Sequence, residues 1–337
     1  MSKRQNKSTL DESQTSPRSG NNKENKKSRP KKPKDADNLE ALRAFMSRNG
    51  KLYSVSRLFH VDFSEVSIKR YKKIIRERVK GVLISKTGTD YKVEATFEVQ
   101  PELGETSHDH SSVFIQVSVI PPSQDEDGDD EYLAENAKTM YSGYLTCRGR
   151  DKAYASVSQL PLLLAFARTV TLSACINSTL QVLFDCIIRP LELSTQEMEL
   201  LFTQCLAATT RDDSKIALGL NFPCFKKDDV IELALSSENF PHLKKLVKTR
   251  QQSSDMAVSK KLFDKLYQSL NTNLSMDLQS CTLIKFQLSN IVLHNSGKFL
   301  VSSTAVMATF LKSLCHICLQ KEIRLLRDIT DIVIGED

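Results

Sequence analysis

Tryptophan is absent from the 337 residues, and glycine (11) and proline (10) are sparse. Outside the N-terminal stretch the closest glycines are Gly143 and Gly149, too far apart for a G-x-G-x-x-G or P-loop phosphate cradle or a G-x-S-x-G nucleophile turn. The chain also lacks H-E-x-x-H and any spaced set of four zinc ligands. Long apolar runs are missing too. Leu160–Ile176 contains Pro161 and Arg168, and Ala305–Leu319 is broken by Lys312 and His316, so both fall short of the roughly 20 apolar residues that span a bilayer. They are expected to be buried core in a soluble protein with no membrane contact.

Beyond its first 34 residues the chain has no positive excess. Met1–Lys34 takes 11 of the 47 basic residues and three of the 41 acidic ones, which leaves the remainder about two charges negative. A folded domain that grips nucleic acid unaided is expected to carry its own basic surplus, because affinity for phosphates comes from released counterions. After Met1, residues 1–37 hold a single large apolar side chain, Leu10, and cannot bury enough surface to offset chain entropy, so this basic tail is expected to be disordered. Within it Arg29, Lys31, Lys32 and Lys34 form a cluster of the nuclear-import type, with a plain solubilising tail as the alternative. Eight cysteines lie scattered through apolar segments, and the polar N-terminus has no signal-peptide core. They read as reduced, packed thiols of a nuclear or cytosolic protein.

Along the body, a short helical stretch from Leu39 leads into a strand at Lys51–Val55. Ser64 can cap a helix over Glu65–Lys80, with Ile68, Tyr71, Ile75 and Val79 on one face. Its other face carries Lys69, Arg70, Lys72, Lys73 and Arg76, either a solvated surface or a patch for nucleic acid or an acidic partner. Strands are expected at Gly81–Lys86, Tyr91–Val99 and Val113–Ile120, the first two joined as a hairpin through Thr87–Asp90, with another strand at Met140–Cys147. Leu160–Ala167 and Leu172–Ile188 read as central helices, and Ser194 as the cap of a helix over Thr195–Ala207. Lys215–Asn221 and Val230–Leu235 are strand-like, followed by helices near Pro241–Lys248 and Val258–Leu274. Strands then gather at Thr282–Leu288, Ile291–Leu293 and Phe299–Val301, with Asn295-Ser-Gly297 as a turn, before a terminal helix that starts near Ser303 or Thr304.

Candidate chemistry is thin. Cys315-His-Ile-Cys318 has the spacing of two thiols packed on an apolar helix and no second pair to complete a zinc site. His108-Asp-His110 lies in a polar loop. The run Asp125–Glu131, six acids in seven residues, does not alternate ligands with spacers as a calcium loop does and reads as an extended loop. No cofactor, metal or catalytic constellation is expected, so the chain is read as non-enzymatic.

Several short stretches recur in the order of one family. Leu52-Tyr-Ser-Val-Ser-Arg-Leu-Phe59 with the helix after it, Met140-Tyr-Ser-Gly-Tyr144, Leu160-Pro-Leu-Leu-Leu164, Phe184-Asp-Cys186, Pro190-Leu191, Leu262-Phe263 with Leu266-Tyr267, and Ile284-Lys-Phe-Gln-Leu-Ser289 resemble centromere protein L. The resemblance covers roughly Leu52 to Leu319, and the missing tryptophan departs from the family's pattern. It implies a subunit of the inner kinetochore's constitutive centromere-associated network, in the nucleus at the centromere. That subunit would form a heterodimer with centromere protein N, contact centromere protein C, and reach the centromeric nucleosome indirectly. The family's heterodimer uses the C-terminal sheet regions, which here places Ile284, Phe286, Leu288, Ile291, Leu293, Phe299 and Val301 as partner-binding candidates. Alternation alone leaves each of these side chains equally compatible with the chain's own core.

The expected fold is α+β: largely antiparallel sheets packed with helices, in two consecutive subdomains, 38–193 and 194–337, after the tail 1–37. The expected function is adaptor, with direct nucleic-acid binding through the tail and the helix at 65–80 as the alternative.

Overall fold

The computed structural model describes residues 40–334, apart from 106–108, 121–136, 150–159, 211–215, 225, 227–228, 236–242, 246, 248–254, 275–277 and 279. A 3-10 turn (Leu42–Phe45) precedes β1 (Gly50–Val55) and α1 (Glu65–Thr87). Then follow β2 (Lys92–Gln100), β3 (Ser112–Ile120), β4 (Lys138–Thr146), β5 (Leu162–Ala167), α2 (Val170–Phe184), β6 (Ile188–Pro190) and α3 (Thr195–Ala208). The rest is β7 (Ile216–Asn221), β8 (Ile231–Leu235), α4 (Asp255–Leu274), β9 (Thr282–Leu288), β10 (Ile291–His294), β11 (Lys298–Val301) and α5 (Thr304–Ile334).

Eleven strands join in one sheet, in the order β2-β3-β4-β5-β1-β11-β10-β9-β7-β8, with β6 also paired to β1. Every pairing is antiparallel. The seam is β1, whose Gly50 and Lys51 face Phe299 and Lys298 of β11 while Lys51–Ser54 run against β5. The fold is therefore α+β, as composition and periodicity led one to expect.

Each half of the sheet has its own helical cover, and the covers lie on opposite faces. Alternate residues assign them: Tyr53, Ile115, Val117, Tyr141, Leu163 and Ala165 pack with Tyr71, Ile75 and Val79 of α1 and Ile176 and Leu180 of α2. Leu52, Leu164 and Phe166 point the other way, into a second core with Leu218, Phe286, Leu293, Phe299 and Val301, under α3, α4 and α5. Successive strand residues point to opposite faces, so a single strand feeds both cores.

Two expected elements differ. Gly81–Lys86, expected as a strand, continues α1. The helix runs on to Gly88, whose φ of 69° gives a left-handed cap and whose N–H donates to the Ile84 carbonyl at 2.8 Å. The spacing of Val79 and Leu83 carries on the helical face, and both join the α1–α2 core, so the turn residues Thr87–Asp90 close a helix and form no hairpin. Leu160–Ala167, expected as a helix, supplies β5, central between β4 and β1. A strand covered on both faces has no polar side to alternate with, so its sequence reads as an unbroken apolar run and imitates a buried helix.

Local sequence explains the helix starts. Ser64 accepts from the Ser67 N–H at 3.3 Å, and Asp62 anchors both Ser64 and Ser67. Ser194 and Glu197 exchange reciprocal bonds in a capping box at the start of α3.

Candidate partner interface

The strands β9, β10 and β11 carry the residues that the resemblance singles out. Phe286, Leu288, Ile291, Leu293, Phe299 and Val301 are buried in the second core, and Ile284 is half-buried. Phe286 meets the ring of Phe202 on α3 edge-on at 5.5 Å, and Phe299 packs against Phe310 of α5 at 5.8 Å. These six buried side chains face the chain's own helices, so a partner reaching this sheet meets its other face.

Among the described residues that other face is left uncovered. The intervening positions Ala217, Lys285, Gln287, Val292, His294, Lys298 and Leu300 are half-buried or exposed. Lys285 forms an ion pair with Glu232 of β8. Burial, aided by Lys285 and Lys298, holds the His294 imidazole below its ordinary value. Val230 lies on the same side, because a Cβ on Gly219 would come within 3.0 Å of it. Beyond β7 the sheet ends in β8, which pairs with β7 alone among the described strands and leaves a row of backbone N–H and C=O groups unpaired. Sequence reasoning missed the uncovered positions because their mixed polarity resembles an ordinary solvated face. The only signal was their phase, one residue out of step with the apolar ones.

The basic face of α1 stands in solvent. Lys69, Arg70, Lys73 and Arg76 are exposed, Lys72 is half-buried, and Arg76 bonds Glu77 at 3.3 Å. The import candidates Arg29, Lys31, Lys32 and Lys34, the acidic run 125–131 and His108 lie outside the described residues, as does half of the stretch 241–248. Cys315 and Cys318 are buried on α5, with the Cys315 thiol 4.0 Å from the Thr146 carbonyl. The neighbouring Cys147 thiol and burial push Cys315 well above its ordinary value, which makes it an inert packed group. Among the described residues no group of three or more His, Cys, Asp or Glu could hold a metal ion, and no helix is long and apolar enough to cross a membrane.

Compared with known protein families, residues 45–319 match the family model described as Centromere protein L. The chain belongs to the centromere protein L family. The match takes in β1 through most of α5 and ends at Leu319, the last buried side chain of α5 among the described residues. Membership makes this a kinetochore protein of a structural family. No curated protein matches the chain.

Proposed function

We infer that this centromere protein L family member is a non-enzymatic adaptor of the inner kinetochore. It pairs with centromere protein N through the C-terminal half of its sheet and so takes its place on centromeric chromatin beside subunits such as centromere protein C. One observation carries the reading: among the described residues, strands β7–β11 have helices on one face only and the sheet ends in β8, whose outer edge pairs with no other strand, while the other face offers Ala217, Val230, Val292 and Leu300. An open strand can extend across a partner's sheet through main-chain hydrogen bonds, and apolar side chains beside it supply buried area. Ile284, Phe286, Leu288, Ile291, Leu293, Phe299 and Val301 then shape the interface from beneath, by holding these strands in register.

Co-purification with centromere protein N tests this. Ala217→Arg and Val230→Asp change uncovered positions, so both variants are expected to unfold cooperatively at the wild-type midpoint and to lose the partner. Retained pairing by both would remove this face from the interface.

A second reading rests on the exposed Lys69, Arg70, Lys73 and Arg76 of α1. If that face binds duplex DNA, residues 38–337 alone bind with a steep salt dependence that reversing Lys72, Lys73 and Arg76 flattens. A salt slope unaffected by the reversal would reject it.

A further inference from the structure

A groove of about 390 Å³ opens where the two halves of the sheet meet. Its floor is Gly50 and Tyr53 of β1, Ala165 and Ala167 of β5, Val292 of β10 and Leu300 of β11, and the first turn of α2 forms one wall. The volume falls within the ~300–1,000 Å³ typical of ligand sites. Two features select an occupant. Apart from the Tyr53 ring the floor is aliphatic, and Val170 at the start of α2 stands 85% exposed beside it. The charged side chains of the lining are the cations Lys51 and Lys298, and among the described residues no carboxylate lines the groove.

Further positive groups lie beside the first turn of α2. Arg168 is exposed immediately before Thr169, the N-cap of α2, and Lys86 donates to the Thr171 hydroxyl at 2.6 Å. The first turn of α2 contains no acid to offset the positive end of its dipole.

We propose that this groove binds an extended acidic peptide, which seats an aliphatic side chain between Val170, Val292 and Leu300 and lays flanking carboxylates against Lys51 and Lys298. Nucleic acid fits less well. The Tyr53 ring is buried, its hydroxyl is bonded to Ser173 at 3.1 Å and Lys51 Nζ lies 5.5 Å from its centroid, so no flat aromatic face is free to stack a base. A neutral peptide would leave the cationic rim unmatched. The groove shares Val292 and Leu300 with the proposed pairing face, and the two readings are told apart at Ala217 and Val230, which lie on or beyond β7, two strands past β10 in the sheet.

The test uses the full chain and a fluorescein-labelled heptapeptide, Asp-Glu-Asp-Leu-Asp-Glu-Asp, read by anisotropy at about 0.1 M salt. Controls are the same peptide with Ser for Leu and a single-stranded oligonucleotide of equal charge. Micromolar binding to the leucine peptide is expected, with at least a fivefold loss for the serine peptide and weaker binding of the oligonucleotide. Lys298→Glu and Val170→Asp each alter an exposed side chain and are expected to weaken the leucine peptide at least tenfold. Val170→Asp keeps or raises the melting temperature, because an acid at a helix N-terminus is favourable. The proposal is overturned by failure to bind at millimolar peptide, by equal affinity for the serine peptide or the oligonucleotide, or by unchanged affinity in both folded variants. Centromere protein N pairing that survives Lys298→Glu while the acidic peptide is lost would separate this site from the dimer surface.

Discussion

Replacing Phe286 by alanine separates core from interface more sharply than any other change. The ring is fully buried, touches Phe202 of α3 at 5.5 Å, and through Phe202 reaches Phe263 of α4 at 5.2 Å. It thus joins the sheet to two helices. Truncating a buried phenylalanine costs about 3–5 kcal/mol in lost transfer energy and residual cavity, and the edge-to-face pair accounts for roughly 1 kcal/mol of that loss. Against a total stability on the order of 5–15 kcal/mol, such a loss lowers the melting temperature by roughly 10 °C and moves the urea midpoint visibly. Phe286→Asp goes further, burying an unpaired carboxylate, and is expected to prevent folding. Urea unfolding followed by far-ultraviolet circular dichroism, alongside co-purification of the partner, reads both effects. If Phe286→Ala loses less than about 1 kcal/mol yet no longer pairs, the ring belongs to an interface and the assignment to the core is wrong.

Two other perturbations test the frame around this core. Gly297 has φ of 79°, a Cβ there would stand 2.7 Å from the Leu191 carbonyl oxygen, and the Gly297 carbonyl accepts from the Leu52 N–H at 2.9 Å. Gly297→Ala is therefore expected to cost at least about 1–2 kcal/mol from the left-handed backbone alone, and an unchanged thermal midpoint would show that the turn relaxes freely. Glu199 is half-buried beside Tyr267, and burial lifts its carboxyl from 4.5 to about 7, with the Tyr267 hydrogen bond opposing the rise and Asp264 adding to it. The folded state binds this proton more tightly than the unfolded chain does, so its contribution is fully present below about pH 4.5 and lost as pH climbs through 7. Glu199→Gln keeps an acceptor for Tyr267 and is expected to gain about 1–2 kcal/mol at pH 8, after allowance for solvent screening, and to flatten stability between pH 5 and 8. A variant with the wild-type slope would place the titration elsewhere.

Most elements were legible where chemistry acts locally. Ser64 and Ser194 mark helix starts through side-chain bonds to the next turn, and the alternation of β2 shows in sequence because one of its faces is wet. Legibility failed where tertiary context decides. Nothing in Leu160–Ala167 tells a strand covered on both faces from a buried helix, and Gly81 inside α1 reads as a breaker although a glycine in open space is tolerated there. The partner-binding candidates illustrate a related point. Apolar alternation in Thr282–Val301 identifies a covered face correctly, but what covers it is α3 and α5, which the strand sequence does not encode.

The two halves of the sheet differ in polarity on the faces opposite their helical covers, in a way that bears on function. On the N-terminal half, opposite α1 and α2, Gln116 donates to Ser118 at 3.3 Å and Arg48 donates to Ser142 at 3.1 Å, with its guanidinium 4.4 Å over Phe166. Ser118 and Ser142 are themselves buried and these groups are bonded within the chain, so a partner would have to break bonds to gain area. On the C-terminal half the corresponding positions include Ala217, Val292 and Leu300, whose covering by a partner removes apolar area from water at about 25 cal/mol per Å² without disturbing an internal bond. Only three strands of this half, β9 to β11, separate β7 from the β1 seam, so the same rigid frame holds the proposed pairing face and the peptide groove. A substitution that loosens this frame from beneath, such as Phe286→Ala, is therefore expected to weaken both activities together, whereas Ala217→Arg and Val170→Asp each remove one and spare the other.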